Sequence, residues 1–298
     1  MSEQLDDLFE PETTAPEEEL PPYDSESFKA KKQKERDDTY SLLYSTAERM
    51  QQDAPLFQQH LDVQARFHRY SANNCVLITA QRPDATRLAA FEEWNTEGIY
   101  VNKGEKALSI LEPSKYTRED GTPGTAYNVK KVFDIGQTNA EPVEQKVVTR
   151  DERELLRALM TDAPCKLKIS NNMSERVNAA YRPEDKIIFV RPGMDGATIF
   201  RAVSQELAHA HMDGKDYSRA EKTPCAYFAS YILCKRFGVP TDQYRFDTMP
   251  EQYRSMDAKA FRKELSSIRE VANTISRSMY QVLEPAKREQ HKRGGDAR

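Results

Sequence analysis

The chain has 298 residues, 38% of them hydrophobic, with 44 Lys and Arg against 48 Asp and Glu. That length allows about two domains. No apolar run approaches about 18 residues, and the acidic N-terminus lacks a basic start and an apolar core, so neither a membrane-spanning helix nor a secretory signal is expected. Four cysteines (Cys75, Cys165, Cys225, Cys234) show no C-x-x-C spacing and read as reduced thiols of a cytoplasmic protein.

Residues 1–27 carry ten acidic side chains and no Lys or Arg, which leaves 44 basic against 38 acidic residues in the remainder. Such a segment cannot bury enough surface to offset its ordering entropy, so a disordered acidic tail is expected. The sharper alternative is a nucleic-acid mimic that competes for a basic groove. A charged helix is expected from about residue 28, with Tyr40, Leu43, Ala47 and Met50 as its buried stripe. Pro55 opens a second helix with Phe57 and Leu61 inward. Val76 to Ala80 form a short apolar stretch. Asp84 reads as the N-cap of a helix carrying Leu88, Phe91 and Trp94, closed by Gly98.

Strands are expected at Val101, from Ala107 to Leu111 and from Tyr127 to Phe133, the last two joined across residues 119–124. Residues 136–147 are polar and read as a linker that carries the domain boundary. A helix from about Asp151 follows, then strands at 166–169, 177–181 and 186–191. The next helix has Ile199, Val203 and Leu207 at i, i+4 and i+8, and another spans about 223–237 before Gly238. The last helix repeats Phe261, Leu265, Ile268, Ala272, Ile275, Met279 and Val282 at 4-3 spacing. It packs on its own domain or forms a homodimer through 257–285. Residues 286–298 are basic and read as a second disordered tail.

Two constellations carry chemistry. Gln205-Glu206-Leu207-Ala208-His209 differs by one residue from H-E-x-x-H, in which two His on one helix face hold zinc and the Glu activates its water. The first ligand position is Gln205, whose amide is a poor zinc donor. In the first half, Arg66, Arg69, Arg82, Arg87, Lys103, Lys106, Lys130 and Lys131 supply cations. Tyr70, Trp94, Tyr100 and Tyr127 supply rings, the combination that suits single-stranded nucleic acid. Asn74 and Gln81 are candidates for positioning bases or phosphates. Trp94, on an apolar helix face, fits the core better than a stacking platform.

The run from Tyr70-Ser71 through Asn74, Leu77-Ile78, Gln81, Pro83, Ala85-Thr86, Phe91, Trp94, Gly98 and Lys103-Gly104-Glu105-Lys106 to Ile110, Pro113 and Phe133-Asp134-Ile135 resembles the N-terminal domain of ArdC-type antirestriction proteins. The resemblance implies a domain that binds single-stranded DNA, in proteins of plasmids and conjugative elements. The expected contacts are Tyr70, Asn74, Gln81, Arg82, Arg87, Lys103, Gly104 and Lys106. Gly104 permits close backbone approach between two lysines.

Residues from about 150 to 283 resemble the zincin-type domain of LtrC-like members of that family, related to ImmA/IrrE peptidases. That family pattern needs two His and a later Glu. Here the first His position is Gln205 and the Glu position, anchored on Ala226-Tyr227, is Thr223. With two of three ligands absent, no metal and no cofactor are expected, and Glu206 and His209 read as a remnant pair. A rebuilt zinc site would need His209 with His211 or Glu221. His211 stands about 200° round a straight helix from His209.

The expectation is a two-domain α+β protein. Residues 28–145 form a mixed single-stranded-DNA-binding domain, and residues 146–285 a mostly helical, zincin-like domain with a small sheet and no peptidase activity. The partner is single-stranded DNA, with no membrane. Rival readings are an active zinc peptidase with a non-standard ligand set and a peptide-binding adaptor.

Overall fold

The computed structural model of the chain describes residues 25–118, 120–141 and 150–284. The tail expected at 286–298, nearly all of the acidic segment and half of the expected linker lie outside these residues. No described helix is long and apolar enough to cross a membrane.

Three helices open the fold. They are α1 (Ser25–Gln52), α2 (Ala54–Arg66) and α3 (Ala72–Gln81). Asp53 starts α2 by accepting the Leu56 N–H, with Pro55 in the first turn where no amide donor is needed. Ser71 starts α3 by accepting the Asn74 N–H. The apolar run 76–80 therefore belongs to a buried helix, since short apolar runs do not distinguish helix from strand.

Next come β1 (Leu88–Ala89), α4 (Phe91–Thr96), β2 (Leu108–Thr117) and β3 (Pro123–Asp134). They form an antiparallel sheet of order β1-β3-β2, with Leu108 opposite Val132 and Thr117 opposite Pro123. The helix expected from Asp84 is corrected: residues 86–89 are held extended. The Asp134 carboxylate accepts the N–H groups of Thr86 and Arg87 at 2.8 and 3.0 Å, and Leu88–Ala89 pairs with β3. Only Phe91–Thr96 remains helical. Trp94 is fully buried, and its indole N–H donates to the Phe133 carbonyl at 3.0 Å.

The second half contains α5 (Glu152–Leu159), β4 (Lys166–Ile169), β5 (Ala179–Arg182), β6 (Ile187–Val190), α6 (Gly196–Met212), α7 (Arg219–Phe237), α8 (Glu251–Arg254) and α9 (Ala258–Leu283). The sheet order is β4-β6-β5, with β4 parallel and β5 antiparallel to β6. Gly238 takes φ +73° and closes α7, a left-handed cap that glycine adopts without a Cβ penalty.

One hydrophobic cluster runs from Leu43, Phe57 and Val76 to Leu159, Phe200, Tyr231 and Met279, so both halves share a core. Polar contacts reinforce the join. Arg236 on α7 donates to the carbonyls of Gln64 and Ala65 at the end of α2. Arg269 and Asn273 on α9 donate to Tyr70 and His68 carbonyls, at 2.6 and 3.0 Å. The α9 stripe of Phe261, Leu265, Ile268, Ala272, Ile275 and Met279 is buried within the chain. Of the two readings of this helix, packing within its own chain is the one seen: α9 lays its apolar face on α1, α5 and α7.

Candidate functional site

The first-half candidates fall into three groups. Asn74 and Gln81 lie one above the other on α3 and face the outer edge of β2. Asn74 donates to the Leu111 carbonyl at 2.9 Å and accepts the Leu111 N–H at 2.8 Å. Gln81 does the same with Ser109, at 3.0 and 2.8 Å. Each amide replaces a missing neighbouring strand and satisfies one residue's two outward backbone groups. Their expected role in contacting bases or phosphates is corrected, because both ends of each amide are already used.

The second group is cations that are neutralised or spent inside the chain. Arg66 donates to the Ala85 and Pro83 carbonyls. Arg82 faces Asp134 at 3.5 Å and Asp84 at 3.9 Å. Arg87 pairs with Glu97 at 2.5 Å and lies over the Trp94 ring at 4.8 Å. Lys130 bridges Glu93 and Glu112, both at 3.3 Å, and Lys131 reaches Glu35 and Ser109. Tyr70 is half-buried against Phe67.

The third group is open. Lys103, Gly104 and Lys106 are exposed, and neither lysine ammonium has an ion-pair or hydrogen-bond partner among the described residues. Beside them Tyr100 is 59% exposed. The turn itself is rigidly pinned. The Gln137 amide donates to Glu105 and to the Lys106 carbonyl, and Asn102 bonds to Gln137 and Thr138. Gly104 takes φ +90° with open space where a Cβ would stand, so a ligand backbone can come close.

In the second half, α6 carries Gln205, Glu206, His209 and His211. The helix continues through Met212, so His209 and His211 point to different sides and cannot share one metal. Glu206 is 5% exposed and holds three hydrogen bonds. The Tyr181 N–H donates to it at 2.6 Å, and one Arg219 nitrogen reaches both its oxygens at 2.7 and 2.9 Å.

His209 is fully buried. Its Nδ1 lies 3.0 Å from the Tyr217 hydroxyl, and its Nε2 has no partner. Burial, helped by the Arg219 charge, lowers its pKa to about 4. The expected Glu206–His209 pair is therefore corrected to two separate pairs. Thr223 donates to the Arg219 carbonyl and offers no carboxylate, and Glu221 is exposed on the first turn of α7.

The donor set does not fit zinc. His209 Nε2 is a free nitrogen, but Glu206 is neutralised by a guanidinium and Gln205 and Thr223 are weak donors. No group of three His, Cys, Asp or Glu able to hold a metal occurs among the described residues. Arg219 was not legible as a partner of Glu206. Its one signal is an arginine in the first turn of a helix, where the helix dipole disfavours a cation.

Beside Gln205 and Glu206 lies a cavity of about 450 Å³ between the β5 edge, α6 and α7. Its wall includes Arg176, Asn178, Arg201 and Tyr227.

Residues 45–155 match the family described as the N-terminal domain of anti-restriction factor ArdC. The chain is 25% identical to the uncharacterized protein pXO2-81 of Bacillus anthracis, over 76% of this chain and 48% of that protein. It thus spans about half the length of the curated relative it matches. The Mn(II)-bound crystal structure of the antirestriction protein ArdC from plasmid R388 is similar, with TM-score 0.51 and 16% identity over 72% of this chain and 85% of that one. The metal-free structure of the same protein gives a TM-score of 0.48 at 17% identity, over 74% and 86% of the two chains. Residues 45–155 are therefore ArdC-like in sequence, and the chain shares the mixed α+β fold of an ArdC antirestriction protein.

Proposed function

We propose that this chain binds single-stranded DNA and acts in antirestriction, shielding incoming DNA of a mobile element. The observation that carries the reading is the Tyr100–Lys106 turn. It lies inside the ArdC-like region and combines an exposed ring, two lysines unpaired among the described residues and an open glycine on a pinned backbone. Cations track the phosphates and the ring offers a stacking face, which is how single strands are held without a sequence code. Arg69, exposed and without an ion pair among the described residues, extends the charge; the other first-half cations named above are engaged within the chain.

The second half is proposed to lack peptidase activity. What supports this is Arg219, which supplies the positive charge beside Glu206 where a metallopeptidase would place its metal. A carboxylate held this way activates no water. The second half instead supports the first through the shared core and the Arg236, Arg269 and Asn273 contacts.

Fluorescence polarisation with matched single- and double-stranded oligonucleotides at low salt tests the reading. Tighter binding of the single strand is expected. Equal binding of both, or none, contradicts it.

A further inference from the structure

The cavity beside Gln205 has a donor-dominated wall, and its neighbours fix that polarity. Asn178 accepts through Oδ1 from Arg191 at 3.0 Å, which leaves its amide nitrogen to donate. The Tyr227 oxygen accepts the Arg245 N–H at 2.7 Å, which leaves the phenolic proton to donate. Among the described residues, the Gln205 side chain has no hydrogen-bond partner and Arg176 has no anionic partner.

The Arg201 guanidinium is oriented by Thr198 and the Pro240 carbonyl, at 2.8 and 3.3 Å, and makes no direct ion pair among the described residues; Asp195 acts on it only at longer range, across the Thr198 hydroxyl. The carboxylate in the lining, Glu206, is neutralised by Arg219. Gln243 donates one amide N–H to Asp242 and keeps its second N–H and its carbonyl acceptor at the rim.

We propose that this cavity binds a phosphate monoester. Two guanidinium charges match a group of charge near −2, and donors from five side chains suit three terminal oxygens better than the two of a carboxylate. A volume of about 450 Å³ lies within the range of small-ligand sites. The same chemistry occurs in a free mononucleotide and at the phosphorylated end of a DNA strand. The site is remote in sequence from the Tyr100–Lys106 turn and does not depend on it.

Calorimetric titration of the full chain with inorganic phosphate and with dAMP tests the proposal. Saturable one-to-one binding is expected for both, weakened at least about tenfold by Arg176→Gln and by Gln205→Leu. Arg176 is exposed, with no side-chain partner among the described residues, so its variant folds normally, which the melting temperature checks. The variant Lys103→Ala with Lys106→Ala should leave dAMP binding unchanged, which separates this site from the proposed DNA surface.

A 5′-phosphorylated oligonucleotide that binds more tightly than its 5′-hydroxyl form, with the gain lost in Arg176→Gln, identifies the strand end as the source. Equal binding of the two oligonucleotides identifies the free mononucleotide. No saturable binding of phosphate or dAMP up to about 10 mM overturns the proposal. So does undiminished binding by both variants, or displacement of dAMP by succinate more readily than by phosphate.

Discussion

Arg219 lies across the carboxylate of Glu206, with one guanidinium nitrogen 2.7 Å from one oxygen and 2.9 Å from the other. A fixed cation thus faces the residue that in a metallopeptidase would face a metal-bound water. Arg219→Ala leaves a buried carboxylate with the Tyr181 N–H as its remaining donor. Arg219 is 46% exposed, so solvent screening limits the loss to about 1–2 kcal/mol. Glu206→Gln combined with Arg219→Ala should cost less than the two single losses added, as urea unfolding would show. Strict additivity would mean that the pair is not coupled.

The amides of Asn74 and Gln81 are predicted to act on stability rather than on DNA. Asn74→Ala strips both partners from the buried Leu111 backbone, at roughly 1–3 kcal/mol. DNA affinity of the folded variant should stay within about twofold of the parent. A selective loss of affinity at unchanged stability would return Asn74 to the binding surface.

These residues also mark how far the sequence is legible. Asn74 and Gln81 were readable as chemically special, but one helix face offers no sign of what it meets. The partner, β2, lies 28 to 37 residues away and becomes a neighbour only when the sheet forms. Local signals fared better. Pro55 and Gly238 mark helix ends through groups within a few residues of one another. The 4-3 stripe of α9 was plain, yet an amphipathic face does not state whether its cover is the same chain or a second copy. The Asp84 cap failed for a related reason: Asp134, 50 residues on, takes the backbone donors that a helix would have used. The Q-E-L-A-H departure was visible at once, whereas Arg219 as its counter-charge required the turn between α6 and α7.

Acid should destabilise the fold through two buried histidines. Burial holds His209 and His60 at pKa about 4, below the 6.5 of an unfolded histidine. The unfolded chain therefore binds more protons between these values. Their contribution is complete above pH 6.5 and falls away toward pH 4. The expected loss is on the order of 2–3 kcal/mol for each. Denaturant midpoints across this range should flatten in His209→Gln and His60→Gln. An unchanged pH profile in both variants would contradict the assignment.

The shared core predicts one unfolding transition. Trp94 is the single tryptophan and reports on the first half, while far-UV circular dichroism reports on all helices. The two curves should coincide. Arg236→Met should lower both together, by about 2–4 kcal/mol, because it frees the carbonyls of Gln64 and Ala65. Separate midpoints would show two independently stable domains divided near residue 145.

The pinned turn around Gly104 is proposed to hold a single DNA strand through Lys103 and Lys106. Its most direct test is the salt dependence of single-strand affinity in the parent and in Lys103→Ala with Lys106→Ala. The double variant should bind more weakly, and the slope of log K against log salt should flatten by about 0.7 for each lost phosphate contact. An unaltered slope with unaltered affinity would place the DNA surface elsewhere and contradict the account.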